Sequence, residues 1–194
     1  MRRVFSMAGA AFAMALFPAF VQPAQAQDMS CYLARGTMDE AAQRPSPLGH
    51  TTFAMDGHEA MVCYGRPYAK GRTVMGELVP FGQPWRVGAN EATAIHLPFA
   101  AEIGGVELEP GSYSLYAVPG EEEWTFFINS NHERWGVPIN ADVTAADLGS
   151  FTRPAESTDE MVEQLTHGQG MGHLVMEWEN TRVEIPVHGP GMSH

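Results

Sequence analysis

The sequence predicts an all-β domain: a single antiparallel β-sandwich or flattened barrel of about eight or nine strands, with at most one short helix. Three observations carry that expectation. Short runs of alternating or β-branched and aromatic residues recur from Thr51 to Val187. Turn pairs such as Asp56-Gly57, Gly104-Gly105 and Pro110-Gly111 separate them. The long stretch Cys63–Thr93 is broken by Gly65, Gly71, Gly76, Gly82 and Gly88, with Pro67, Pro80 and Pro84 between, and this leaves no room for a long helix.

In chain order, residues 1–26 read as a cleaved export signal. Arg2 and Arg3 open it, an apolar run from Val4 to Phe20 follows, and Ala24-Gln25-Ala26 offers small residues for cleavage. Pro18 and the cleavage site argue against a retained membrane helix, so no transmembrane segment is expected in the mature chain. The expected location is the periplasm or the medium, by the general or the twin-arginine route. Residues 27–50 are polar and contain R-P-S-P, which suits an N-terminal arm. Residues 51–188 carry the strand signals, and residues 189–194 read as a flexible tail.

Thr51–Met55 and Glu59–Tyr64 form an expected hairpin around Asp56-Gly57. Thr93, Ile95, Leu97 and Phe99 alternate as a strand with one face in a core. Tyr113–Val118 and Trp124–Asn129 follow as aromatic-rich strands, with Glu121-Glu122-Glu123 as a solvated turn. Asp142 opens a short helix over Val143–Leu148. Met161–Thr166, Leu174–Trp178 and Arg182–Val187 are the last strands, with Glu179-Asn180-Thr181 turning between the final two.

Formal charge is −12, and losing Arg2 and Arg3 with the signal takes it to −14. That argues against nucleic acid and anionic membranes as partners. Cys31 and Cys63 are the only cysteines. In an oxidising compartment they predict one disulfide tying the arm to the strand before the central stretch, a link that stabilises by about 3–4 kcal/mol on chain-entropy grounds.

Y-G-R-P, K-G-R-T-V-M-G-E-L-V-P-F-G, W-R-V-G-A-N-E-A-T and L-E-P-G-S-Y-S-L-Y-A-V-P-G resemble the bacterial domain-of-unknown-function family numbered 2911. N-S-N-H-E-R-W-G and M-E-W-E-N-T-R-V-E-I-P-V add to the likeness, which runs from about Pro45 to Val187. The resemblance implies an exported, mostly β domain and brings no established activity.

Arg66, Lys70, Arg72 and Arg86 concentrate positive charge in an acidic chain, beside Trp85, Asn90 and Glu91. Arg66, Arg72, Trp85, Arg86, Asn90 and Glu91 are the candidate ligand site: guanidinium forks hold a carboxylate, phosphate or sugar acid, and an indole face takes a ring. The competing structural reading pairs Arg86 with Glu91 and Arg72 with Glu77, and uses guanidiniums to cap loop carbonyls. An enzyme built on Arg86, Glu91 and His96 lacks any supporting catalytic motif. Tyr113, Tyr116, Trp124, Phe126, Phe127 and Trp178 form a carbohydrate platform on one reading and core on the other. Alternation assigns Trp124, Phe126 and Ile128 to the core.

The C-terminal part repeats H-G-x-G-M-x-H, at His167–His173 and His188–His194. A hairpin turning near Asn180 brings both segments to one sheet edge. His167, Met171, His173, His188, Met192 and His194 are therefore candidate copper ligands, since imidazole and thioether together suit copper in either oxidation state. The leading expectation is an exported, periplasmic protein binding a small anionic ligand. The alternatives are a copper-handling protein, an enzyme of unknown reaction and a structural envelope module.

Overall fold

The computed structural model describes residues 29–55, 58–136, 140–170 and 172–189. Among them the elements run α1 (Met38–Ala42), β1 (Leu48–Met55), β2 (His58–Gly65), β3 (Ala89–Leu97), β4 (Ala101–Ile103), β5 (Val106–Leu108) and β6 (Gly111–Pro119). They continue with β7 (Glu123–Asn129), α2 (Ala141–Thr144), β8 (Asp147–Pro154), β9 (Glu156–Gly170) and β10 (His173–His188). A six-stranded sheet, β1-β2-β3-β6-β7-β8, faces a four-stranded sheet, β5-β4-β10-β9, and all neighbours are antiparallel. The protein is a β-sandwich with no closed barrel. The expected export signal of residues 1–26, the expected Asp56-Gly57 turn and most of the expected 189–194 tail lie outside the described residues.

Alternation builds the core. Ile95, Leu115, Trp124, Phe126 and Ile128 from the larger sheet meet Leu174, Met176, Trp178, Val183 and Ile185 from the smaller one, all at most 1 % exposed. Gly104 and Gly105 both hold positive φ in the two-residue turn between β4 and β5, as the Gly-Gly pair predicts.

The outer face of the larger sheet is covered as well. Met61, Cys63 and Ala94 are buried there, with Met29 and Cys31 packed on them. The Cys31–Cys63 disulfide is formed, with Cα atoms 5.5 Å apart, and it pins the arm across β2. The arm is more ordered than its polarity suggests. Thr37 and Glu40 make a capping box at α1, the Thr37 side chain accepting from the Glu40 N–H while the Glu40 carboxylate accepts from the Thr37 N–H.

In the second half of the chain the structure adjusts one expectation and bears out another. The helix placed at Val143–Leu148 is a single turn, Ala141–Thr144, and Leu148 belongs to strand β8. With α1, two short helices occur where one was expected. Strand geometry is continuous from His173 to His188, yet the Val187 N–H donates to Gly172 O at 2.9 Å. An extended chain of this length would hold those residues tens of ångströms apart, at about 3.3 Å per residue. The chain therefore reverses between them, at Glu179, whose φ is 56°. Arg182 then lies across from Glu177 and pairs with it. The expected final hairpin is present.

Candidate functional site

Residues 66–88 cross one end of the sandwich as an irregular loop, tied down by short bridges: Tyr68 with Gln164, Met75 with Val79, and Trp85 with Ala117. The Trp85 pairing places its indole between the sheets. It stacks on Trp178 (5.8 Å between ring centroids, 22°) and meets Trp124 edge-on at 5.7 Å. Its Nε1–H donates to Gly88 O at 3.1 Å. Trp124, Phe126 and Trp178 are core residues, whereas Tyr116 and Phe127 stack on each other on the opposite face of the larger sheet.

A cavity of about 300 Å³ opens at this end, lined by Arg72, Trp85, Arg86, Gly88, Ala89 and Trp178 among others. Three of the six residues singled out from sequence thus share one cavity wall. Arg72 is partly committed: its Nε and Nη2 donate to the carbonyls of Ala69 (2.8 Å) and Tyr68 (2.7 Å), the capping role that Arg performs in loops. Arg86 is less so. Its Nη1 donates to Asn90 O at 3.4 Å, and its buried Nε has no partner in the protein. Burial lowers its pKa, and the charge of Glu91 opposes that. The Trp178 Nε1–H on the same cavity is likewise buried and unpartnered.

The other three residues are placed elsewhere. Arg66 lies flat on Gly49, where a Cβ would come within 2.5 Å of its Nε, so only glycine permits that packing. Asn90, at φ 65°, donates its side-chain amide to Ser46 O at 2.8 Å. Glu91 is 1 % exposed and accepts two hydrogen bonds from Arg44 Nη1 (3.0 and 2.9 Å) and a third from the Ala34 N–H at 3.3 Å. The carboxylate that follows the cluster in sequence is thus an anchor for the arm.

Sequence reasoning missed Arg44, Arg134 and Trp135. The Arg35 and Arg44 guanidiniums lie over the Trp135 ring at 4.5 and 5.5 Å. Arg134 Nη2 donates to Ser114 Oγ at 3.1 Å, while its Nε and Nη1 are buried without partners. Burial, the largest cause, lowers the Arg134 pKa. Tyr116 and Asp147 oppose it, and the nearby charge of Arg86 adds to it. Asp147 is occupied by the Tyr116 hydroxyl and the Asn129 amide, both at 2.7 Å. The N-S-N-H-E-R-W-G run was the only signal pointing to this loop.

His96 is 5 % exposed on the outer face of β3, its Nδ1 2.8 Å from Ser112 Oγ. It therefore sits apart from the Arg86 cavity, and Glu91 is already paired. His167 is 3 % exposed, with Nε2 2.9 Å from Val87 O and its ring edge-on to Tyr64 at 4.4 Å. Its ring is committed to the interior. His173 and His188 are half-buried, while Met171, Met192 and His194 lie outside the described residues. No group of three or more His, Cys, Asp or Glu that could hold a metal occurs among the described residues. None of the described helices is long and apolar enough to cross a membrane.

These features define a two-sheet β-sandwich with a cationic, indole-walled cavity at one end. The chain belongs to the family described as Protein of unknown function (DUF2911), whose model matches residues 46–187. No curated protein and no solved structure matches it.

Proposed function

We propose that the protein binds a small anionic ligand in the cavity walled by Arg72, Trp85, Arg86 and Trp178, and that it does so in an oxidising compartment outside the cytoplasm. The observation that carries the reading is Arg86: a half-buried guanidinium with no ion pair among the described residues and an unpartnered Nε, on the wall of a cavity beside an indole. A desolvated cation without a directly paired counter-ion is costly, and an anion that accepts from it offsets that cost. Arg72 adds a second positive charge, and the indoles favour a ligand with a ring or apolar portion. The volume suits a small carboxylate or phosphate ester. Arg66, Asn90 and Glu91 support the loop that presents Arg86. The disulfide supports export, since such bonds persist in oxidising compartments.

Thermal-shift titration with acetate, inorganic phosphate, uronic acids and aromatic carboxylates tests the site. A saturable rise in Tm is expected for at least one of these anions, and Arg86→Met should abolish it. The reading is lost if no anion on the panel gives a saturable shift, or if the shift survives in Arg86→Met.

A further inference from the structure

The outer face of the larger sheet holds a second set of chemistry-bearing groups, separate from the Arg86 cavity. His96 Nε2 is buried and has no hydrogen-bond partner, while Nδ1 is held by the Ser112 hydroxyl. The His132 ring stands edge-on to it, 5.7 Å between centroids and 86° between planes. Met61 is the residue directly opposite His96 across the β2–β3 ladder, on the same face and 6 % exposed. Met29 and the Cys31–Cys63 disulfide pack around Met61.

From this arrangement we propose that His96 and His132, with the Met61 thioether, bind a single copper(I) ion beneath the cover of the larger sheet. The ring spacing fits. Two imidazoles sharing one ion at metal–nitrogen distances of about 2.0–2.1 Å place their centroids about 5–6 Å apart. The hydrogen bond at Nδ1 is the kind that fixes a ligating histidine: with the Nδ1–H donated to Ser112 Oγ, Nε2 keeps its lone pair for the metal.

The surroundings select the ion. Thioether and imidazole are soft to intermediate ligands. Cys31, Cys63, Ala94, Met29 and Met61 make the β2 side of the neighbourhood apolar, while Arg134, donating to Ser114 Oγ, sets a cation on the loop side. Among the described residues, the one carboxylate within ion-pair distance of either ring is Glu133, 3.9 Å from His132 Nε2 and 66 % exposed. A divalent ion would bring two charges into this setting without a buried anion to balance them, whereas a monovalent ion brings one. Entry is from the loop side, where the His132 side chain is 24 % exposed. Neither the ligands nor the access route involves Arg86 or the indole cavity, so the two sites stand or fall separately.

Anaerobic copper(I) titration of the purified, oxidised protein against a chromogenic chelator tests the site, with metal-edge X-ray absorption on the loaded protein. One equivalent is expected, bound through two nitrogens and one sulfur. Ser112→Ala, which removes only the positioning bond, should weaken binding about 10–100-fold. His96→Gln and His132→Gln should weaken it further still, and His50→Ala, exposed on β1, should leave it unchanged. Thermal melts of the metal-free variants report whether each is folded; if His96→Gln is not, the partly exposed His132→Gln decides. The proposal is overturned if no equivalent binds or if affinity is indifferent to His132→Gln. It is equally overturned if the affinity disappears on deleting residues 189–194, which would assign the metal to the tail.

Discussion

Val87 holds φ at 45°, an unusual state for a β-branched residue, and such strain costs on the order of 1–3 kcal/mol. Its carbonyl explains what holds it there, accepting from Thr93 Oγ1 at 3.2 Å and facing His167 Nε2 at 2.9 Å. Because a carbonyl only accepts, His167 must carry its proton on Nε2. Burial holds its pKa at about 4, only partly opposed by this bond. The sign of the pH dependence follows. Above pH 6.5 the ring is neutral in both states and full stability is retained. As pH falls from 6.5 towards 4, only the unfolded chain takes up the proton, and stability falls by about 3 kcal/mol. His96 is shifted in the same direction and adds to the loss. Urea midpoints measured from pH 7 to 4.5 should show this decline, with a flatter profile for His167→Gln. An unchanged slope in that variant would remove His167 as its source. At Glu91 the prediction concerns charge: Arg44→Met leaves a buried carboxylate with only the Ala34 N–H, and should cost about 3–5 kcal/mol in urea unfolding.

Among the elements, the arm shows how a weak sequence signal becomes ordered structure. One disulfide closes a separation of 32 residues, and reducing it should lower stability by about 3–4 kcal/mol. Urea unfolding with and without reductant measures that loss, and thiol titration of the unreduced, unfolded protein should find no free thiol. The strands that alternate sharply, β1 to β3, β6 and β7, were legible in the sequence because one face of each is core. Strand β8 was not: its residues alternate between half-buried and exposed at the sheet edge, so no apolar stripe marks it, and Asp142 beside it looks like a helix cap. The cavity was legible in part. Trp85, Arg72 and Arg86 stand close in sequence and share a wall, but the partner of Glu91 is Arg44, 47 residues away, rather than the nearby Arg86. Local charge counting has no access to such a pairing, which depends on the arm crossing the sheet.

At the scale of the whole molecule, the family match begins at residue 46, two residues ahead of strand β1, and leaves most of the arm outside it. The two sheets share an apolar core that includes no residue of the arm. The arm is held instead by discrete anchors on the outer face: the disulfide, the Arg44–Glu91 pair, and the guanidiniums over Trp135. A cover attached at points, over a core that closes without it, should detach before the core opens. Limited proteolysis of reduced Arg44→Met is therefore expected to trim the chain ahead of Ser46 and leave a resistant fragment spanning the strands. Near-ultraviolet dichroism from the packed Trp85, Trp124 and Trp178 should persist in that fragment, since all three rings lie between the sheets. Digestion of the whole chain with no resistant intermediate would show instead that the cover and the sandwich unfold as one unit.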